Sequence, residues 1–83
     1  MKILYFAWVR QKIGKSEEDF ALRGQVCTVS ELLEVLRDRG GGYAEAFADP
    51  SRVRAAVNQE HVLLDAKLGN DDEVAFFPPV TGG

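Results

Sequence analysis

Residues 28–37, Thr-Val-Ser-Glu-Leu-Leu-Glu-Val-Leu-Arg, read as an amphipathic helix that must lie on something apolar, and this requirement limits the folds open to the chain. Val29, Leu32, Leu33 and Leu36 fall at i, i+3, i+4 and i+7, so they form one stripe. Thr28 and Glu31 have the spacing of a capping box, which satisfies backbone donors at the start of the helix. Arg37 and Arg39 suit the negative pole of the helix dipole, and Gly40 offers a left-handed cap. The other well-marked stretches read as strands. The stripe is therefore expected to pack on one face of a sheet.

Residues 2–9, Lys-Ile-Leu-Tyr-Phe-Ala-Trp-Val, form a near-continuous apolar run expected to be a central strand. Ile3, Tyr5, Ala7 and Val9 would share one face, and Leu4, Phe6 and Trp8 the other. One face meets the core; the other is either covered by the rest of the chain or left open as a binding surface. Residues 10–15 read as a polar connection ending at Gly14, and residues 17–23 as a second, more exposed strand with Phe20 and Leu22 on one face. After the helix, residues 43–47 suggest one helical turn and residues 51–57 a strand. Residues 58–60 suggest a turn, 61–64 a short strand and 65–68 a further helical turn. Gly69-Asn70-Asp71-Asp72 is a polar turn before a last strand, residues 73–77. With the first strand central, the second antiparallel to it and the last beside it, the pattern is an α+β, ubiquitin-like β-grasp: a mixed sheet with one main helix on one face.

The sequence ends Phe77-Pro78-Pro79-Val80-Thr81-Gly82-Gly83. The prolines exclude helix and hold the segment extended, and the glycines leave its end without side chains. Residues 1–77 are thus expected to form the domain and 78–83 a flexible C-terminal tail, reaching roughly 20 Å if polyproline-like. A terminal glycine carboxylate is the least hindered a polypeptide can offer, and Gly82 behind it can thread a channel too narrow for a Cβ. Such an end suits chemistry at the C-terminus itself.

Composition narrows the functions. With 83 residues, 46% hydrophobic, the chain makes one small domain with a modest core. Its net charge of −3, with Lys and Arg scattered, lacks the basic stripe that drives nucleic-acid binding and favours, if weakly, a basic protein partner. The single cysteine, Cys27, excludes an internal disulfide and suits a reducing cytoplasm; it is expected to pack as a small residue. The run at residues 3–9 is too short to span a membrane or serve as a signal peptide. The lone His61 points to no metal site, Asp71-Asp72-Glu73 reads as turn chemistry, and Gly40-Gly41-Gly42 lacks the Lys and Ser/Thr of a phosphate loop. The chain therefore carries no catalytic set and no ATP site of its own. A carboxylate is a poor electrophile, so another protein must activate Gly83, after which it can become a thiocarboxylate or a thioester. The first outcome makes a sulfur carrier and the second a protein tag.

The ending Val74-Ala75-Phe76-Phe77-Pro78-Pro79-Val80-Thr81-Gly82-Gly83, the opening Leu4-Tyr5-Phe6-Ala7 with Val9-Arg10, and the middle Ala56-Val57-Asn58-Gln59 closely resemble the small subunits of molybdopterin synthase, the MoaD family. The resemblance implies that an E1-like enzyme adenylates Gly83 with ATP, and that a sulfurtransferase or cysteine desulfurase supplies the sulfur for its thiocarboxylate. The tail would insert into the molybdopterin synthase large subunit, in a heterotetramer, and donate sulfur to cyclic pyranopterin monophosphate. No cofactor would be held stably. Gly83 would be the donor and Gly82 its slender neck, with Phe6, Trp8, Arg10, His61, Phe77, Pro78, Pro79, Val80 and Thr81 in partner contacts. Two features depart from the pattern: His61 stands where an apolar docking residue is expected, and Trp8 is bulkier than usual. A sulfur carrier for thiazole or tRNA thiolation and a ubiquitin-like modifier stay open as alternatives, as does a plain β-grasp interaction module.

Overall fold

In the computed structural model, which describes residues 1–22 and 28–79, the apolar N-terminal run is a strand for only half its length. Strand β1 spans Lys2–Tyr5; the chain then turns through Ala7, at φ 52°, into helix α1, Ala7–Ile13. The expected strand over residues 2–9 is thus corrected, and so is the polar connection over 10–15. Val9 and Ile13 lie one helical turn apart; Val9 is fully buried, and Trp8 and Ile13 pack against the core. A short apolar run has no periodicity that separates strand from buried helix, so the change at Phe6 has no local signature. Gly14 ends α1 in the left-handed conformation (φ 89°, ψ 13°), its N–H donating to the Arg10 carbonyl at 2.8 Å.

Strand β2 covers Glu17–Asp19, shorter than the expected 17–23; Phe20 and Leu22 pack against the core from beyond its end, and Arg23 lies outside the described residues. Helix α2, Val29–Arg37, matches the reading of the sequence, and all four stripe residues are buried. The Thr28 hydroxyl oxygen accepts the Glu31 N–H at 3.2 Å, as the capping box requires. Gly40 does not cap α2, whose last turn closes at Asp38 in the right-handed region. Instead Gly40 (φ 79°, ψ −167°) leads into α3, Gly41–Ala46, a six-residue helix that begins earlier than the turn expected at 43–47. Gly42 lets α3 meet α1, since a Cβ there would overlap the Lys12 carbonyl oxygen.

The expected strand over residues 51–57 divides. Asp49 accepts the Ser51 N–H (3.0 Å) and hydroxyl (2.6 Å), which sets a 3-10 turn over Pro50–Arg52, and strand β3 follows at Arg54–Val57. Asn58 and Gln59, both at positive φ, make the two-residue hairpin into β4, Glu60–Val62, which starts and ends earlier than the expected 61–64. No helical turn forms over 65–68. There the Leu64 and Ala66 carbonyls accept the Ser30 and Val29 N–H groups at 2.7 and 3.0 Å, satisfying donors at the start of α2. Strand β5 is Glu73–Phe77, as read from the sequence.

The sheet order is β2-β1-β5-β3-β4, with β1 and β5 parallel and the other pairs antiparallel. Ile3, Tyr5, Ala55, Val74 and Phe76 join Val9, the α2 stripe, Ala46 and Phe47 in one core. Tyr5, Phe47 and Phe76 form its aromatic centre, the closest pair being Phe47 and Phe76 at 5.3 Å, edge to face. At its margin the Glu18 carboxylate accepts hydrogen bonds from Tyr5 (2.8 Å), Tyr43 (2.5 Å) and Arg39 (2.8 Å), tying β2 to the helical layer. This is the expected β-grasp, enlarged by α1 and α3. Among the described residues no helix is long and apolar enough to cross a membrane.

Candidate functional site

The site is built where β5 runs out. Phe76 faces the core and is fully buried, so the alternation of a strand turns Phe77 to the opposite face, where it is half-buried. Beside it, the Phe6 N–H donates to the Phe76 carbonyl at 3.1 Å, which extends the parallel ladder one residue past β1. Phe6 is still extended (φ −126°, ψ 157°), so it takes the face opposite Tyr5, and it is 47% exposed. Across the sheet the His61 ring lies 5.2 Å from that of Phe77, tilted by 56°. Where an apolar residue was expected, His61 therefore extends an aromatic row rather than interrupting it. Arg10, exposed, lies one turn along α1 from Phe6, its N–H donating to the Phe6 carbonyl at 3.3 Å.

Pro78 and Pro79 leave the sheet along a groove of about 400 Å³ that they line with Trp8, Ser51 and Arg52. The Arg52 guanidinium lies 5.7 Å from the centre of the Trp8 ring, within cation–π range. Trp8 reaches this groove from α1, not from a strand face as expected, because only the helix brings it back over the end of β5. The structure thus gathers Phe6, Trp8, Phe77, Pro78, Pro79, His61 and Arg10 around one end of the sheet. Val80, Thr81, Gly82 and Gly83 lie outside the described residues, as does Cys27.

Two groups at this end went unnoticed in the sequence. Arg54 sits directly across from Phe77 in the β3–β5 register, and Arg52 lines the groove. Their only local signature is the alternation Arg52-Val53-Arg54, with Val53 buried between two exposed arginines. At the other end of β5, the acidic run is turn chemistry. Asp72 accepts the Gly69 N–H (2.7 Å) and the Asn58 amide (2.9 Å), and Asn58 accepts the Glu73 N–H (3.0 Å). These bonds, the Asn58 amide first, hold the Asp72 carboxyl below its ordinary value. Among the described residues no group of three His, Cys, Asp or Glu side chains is placed to hold a metal ion.

The arrangement offers a docking surface: an aromatic row and a proline-lined groove converge where the chain leaves the sheet. Known proteins are similar to this chain in sequence and in fold. The molybdopterin synthase sulfur carrier subunit of Escherichia coli is 41% identical over 83 residues, spanning 100% of this chain and 99% of that protein. The protein of the same name from Haemophilus influenzae is 37% identical over 87 residues, at 100% and 99% coverage. Among solved structures, a Pyrococcus furiosus protein described as a candidate molybdopterin converting factor, subunit 1, superposes with a TM-score of 0.75 at 34% identity, covering 95% of each chain. SAMP1 from Haloferax volcanii superposes with a TM-score of 0.73 at 25% identity, covering 100% of this chain and 98% of that one. A family model described as the ThiS family matches residues 3–83. Matched by that model almost from end to end, and by relatives over their full length, the chain belongs to the ThiS family.

Proposed function

We propose that this chain is the sulfur carrier subunit of a molybdopterin synthase. The observation that carries the reading is the full-length similarity, at 41% identity, to a protein of that name. The geometry supports it: the last strand delivers Phe77 and the prolines to an exposed aromatic face at the end of the sheet. In this reading an E1-like enzyme uses ATP to convert the Gly83 carboxylate to an acyl adenylate, releasing pyrophosphate. A persulfide on a sulfurtransferase or cysteine desulfurase displaces AMP to give an acyl disulfide, and a second thiol cleaves its S–S bond, leaving the thiocarboxylate on Gly83 and a disulfide on the donor. The large subunit binds Phe6, Trp8, Arg10, His61 and residues 77–81; on it the thiocarboxylate sulfur bonds to cyclic pyranopterin monophosphate, and water hydrolyses the acyl–sulfur bond, which returns Gly83 as a carboxylate. No cofactor stays on this chain, and the setting is the cytoplasm.

The test uses the chain prepared with a C-terminal thiocarboxylate, mixed with a molybdopterin synthase large subunit and cyclic pyranopterin monophosphate. Molybdopterin should form with the thiocarboxylate and not with the plain carboxylate. No product with a large subunit of proven activity would overturn the assignment. A second reading, a ubiquitin-like modifier, is favoured by the likeness to a small archaeal modifier protein. It predicts adducts joining Gly83 to lysines of other proteins in cell extracts.

A further inference from the structure

The chain is acidic overall, at a net charge of −3, yet the fold does not spread that charge evenly. Down β5 the sheet has two ends of opposite sign. At the start of β5, Asp71, Asp72 and Glu73 cluster, and Lys2 is flanked by Glu73 on one side and Asp19 on the other. At its exit end Arg54 is paired in register with Phe77, Arg52 lines the groove of Pro78 and Pro79, and Arg10 stands one turn from Phe6. The ion pairs among the described residues join Lys2 to Glu17, Lys12 to Glu45 and Arg39 to Glu18, and so leave Arg10, Arg52 and Arg54 without a carboxylate partner. Asp49 feels the charge of Arg52, but its carboxylate is committed to hydrogen bonds from Ser51. Arg52 and Arg54 are both exposed, with the buried Val53 between them.

Unpaired arginines beside half-exposed aromatics are suited to pairing with carboxylates across an interface, where a guanidinium offers a planar, bidentate fork. We propose that the protein surface receiving the tail carries carboxylates on the rim of its opening, placed to pair with Arg52 and Arg54 beside the Phe77–Pro79 exit. This inference rests on the sulfur-carrier reading, in which that surface belongs to the large subunit. It reverses the partner charge suggested by composition: the acidic end of the sheet faces away, and a carboxylate-rimmed opening steers the basic, tail-bearing end inward. The apolar contact of Phe6 and Phe77 holds the complex once formed, and the arginines set orientation and the rate of encounter.

The experiment measures association of the full chain with the molybdopterin synthase large subunit across a salt series from about 0.05 M to about 1 M, where the Debye length falls to about 3 Å. The Arg52→Glu/Arg54→Glu variant should associate about tenfold more slowly at low salt, and the gap should close at high salt. Lys12→Glu/Lys67→Glu makes the same change in net charge elsewhere on the surface and should slow association far less. If charge reversal disturbs folding by circular dichroism, Arg52→Gln/Arg54→Gln should give a smaller loss in the same direction. Association by the wild-type chain that ignores salt, or that slows equally in both Glu variants, overturns the inference alone. Arginine-dependent binding to a duplex oligonucleotide at the same salt would overturn it in favour of a nucleic acid. No complex between the wild-type chain and an active large subunit overturns the sulfur-carrier reading, and the inference falls with it.

Discussion

Phe76 and Phe77 are adjacent in the chain, but the pleat of β5 sends them to opposite faces with opposite duties. Phe76 is fully buried against Tyr5 and Phe47, so Phe76→Ala should cost about 3–5 kcal/mol in urea unfolding. Phe77 is half-buried, with His61 as its ring partner, so Phe77→Ala should cost no more than about 1 kcal/mol of stability. It should nevertheless weaken large-subunit affinity at least about thirtyfold. Equal loss of both properties would place Phe77 in the core instead. Glu18 shows the same dependence on surroundings. Burial is the largest influence on its carboxyl and raises it, but hydrogen bonds from Tyr43, Arg39 and Tyr5 together prevail and hold it below its ordinary value of 4.5. A group depressed in the folded state contributes stability that is complete above its unfolded value and is lost as pH falls through the folded one. Glu18→Gln should therefore cost about 1–2 kcal/mol near neutrality. Unfolding free energies measured from about pH 6 down to about pH 3 should also fall less steeply in the variant than in the wild type.

At the scale of elements, the helical layer depends on how closely its members approach. α3 packs between α1 and α2, and Gly42 is the point where its backbone meets the Lys12 carbonyl. Gly42→Ala should cost about 1–3 kcal/mol in thermal or urea unfolding, because backbone must move to admit the methyl group. Gain of stability, as expected for Gly→Ala in an open helix, would mean that the two helices part without cost. The stretch around Leu64 and Ala66 has a comparable supporting role, spending its carbonyls on the first N–H groups of α2 rather than on a helical turn of its own.

For the whole molecule, the organising fact is that the last described core side chain is Phe76, at the end of the chain's last strand. Removing residues 80–83 should leave the unfolding free energy in urea unchanged within about 0.5 kcal/mol, while abolishing sulfur transfer. Marked destabilisation would show that the tail contributes to the fold. The parallel β1–β5 pair at the centre of the sheet fixes the exit direction, since Tyr5 opposite Phe76 brings Phe6 alongside Phe77.

Residue order alone reveals features whose causes are local. The capping box and leucine stripe of α2, a turn near Asn58 and Gln59, the limits of β5 and the proline-diglycine ending could all be read directly, and with them the β-grasp. Helix α1 could not, because Phe6-Ala7-Trp8-Val9 satisfies a strand and a buried helix equally well until it is known what Val9 must reach. Nor could the meeting of Trp8, Arg52 and the prolines, or the sorting of an acidic chain into one basic and one acidic end. Those depend on which strands pair and in which register. Pairing over dozens of residues is decided by shared burial of distant side chains, which no local stretch records.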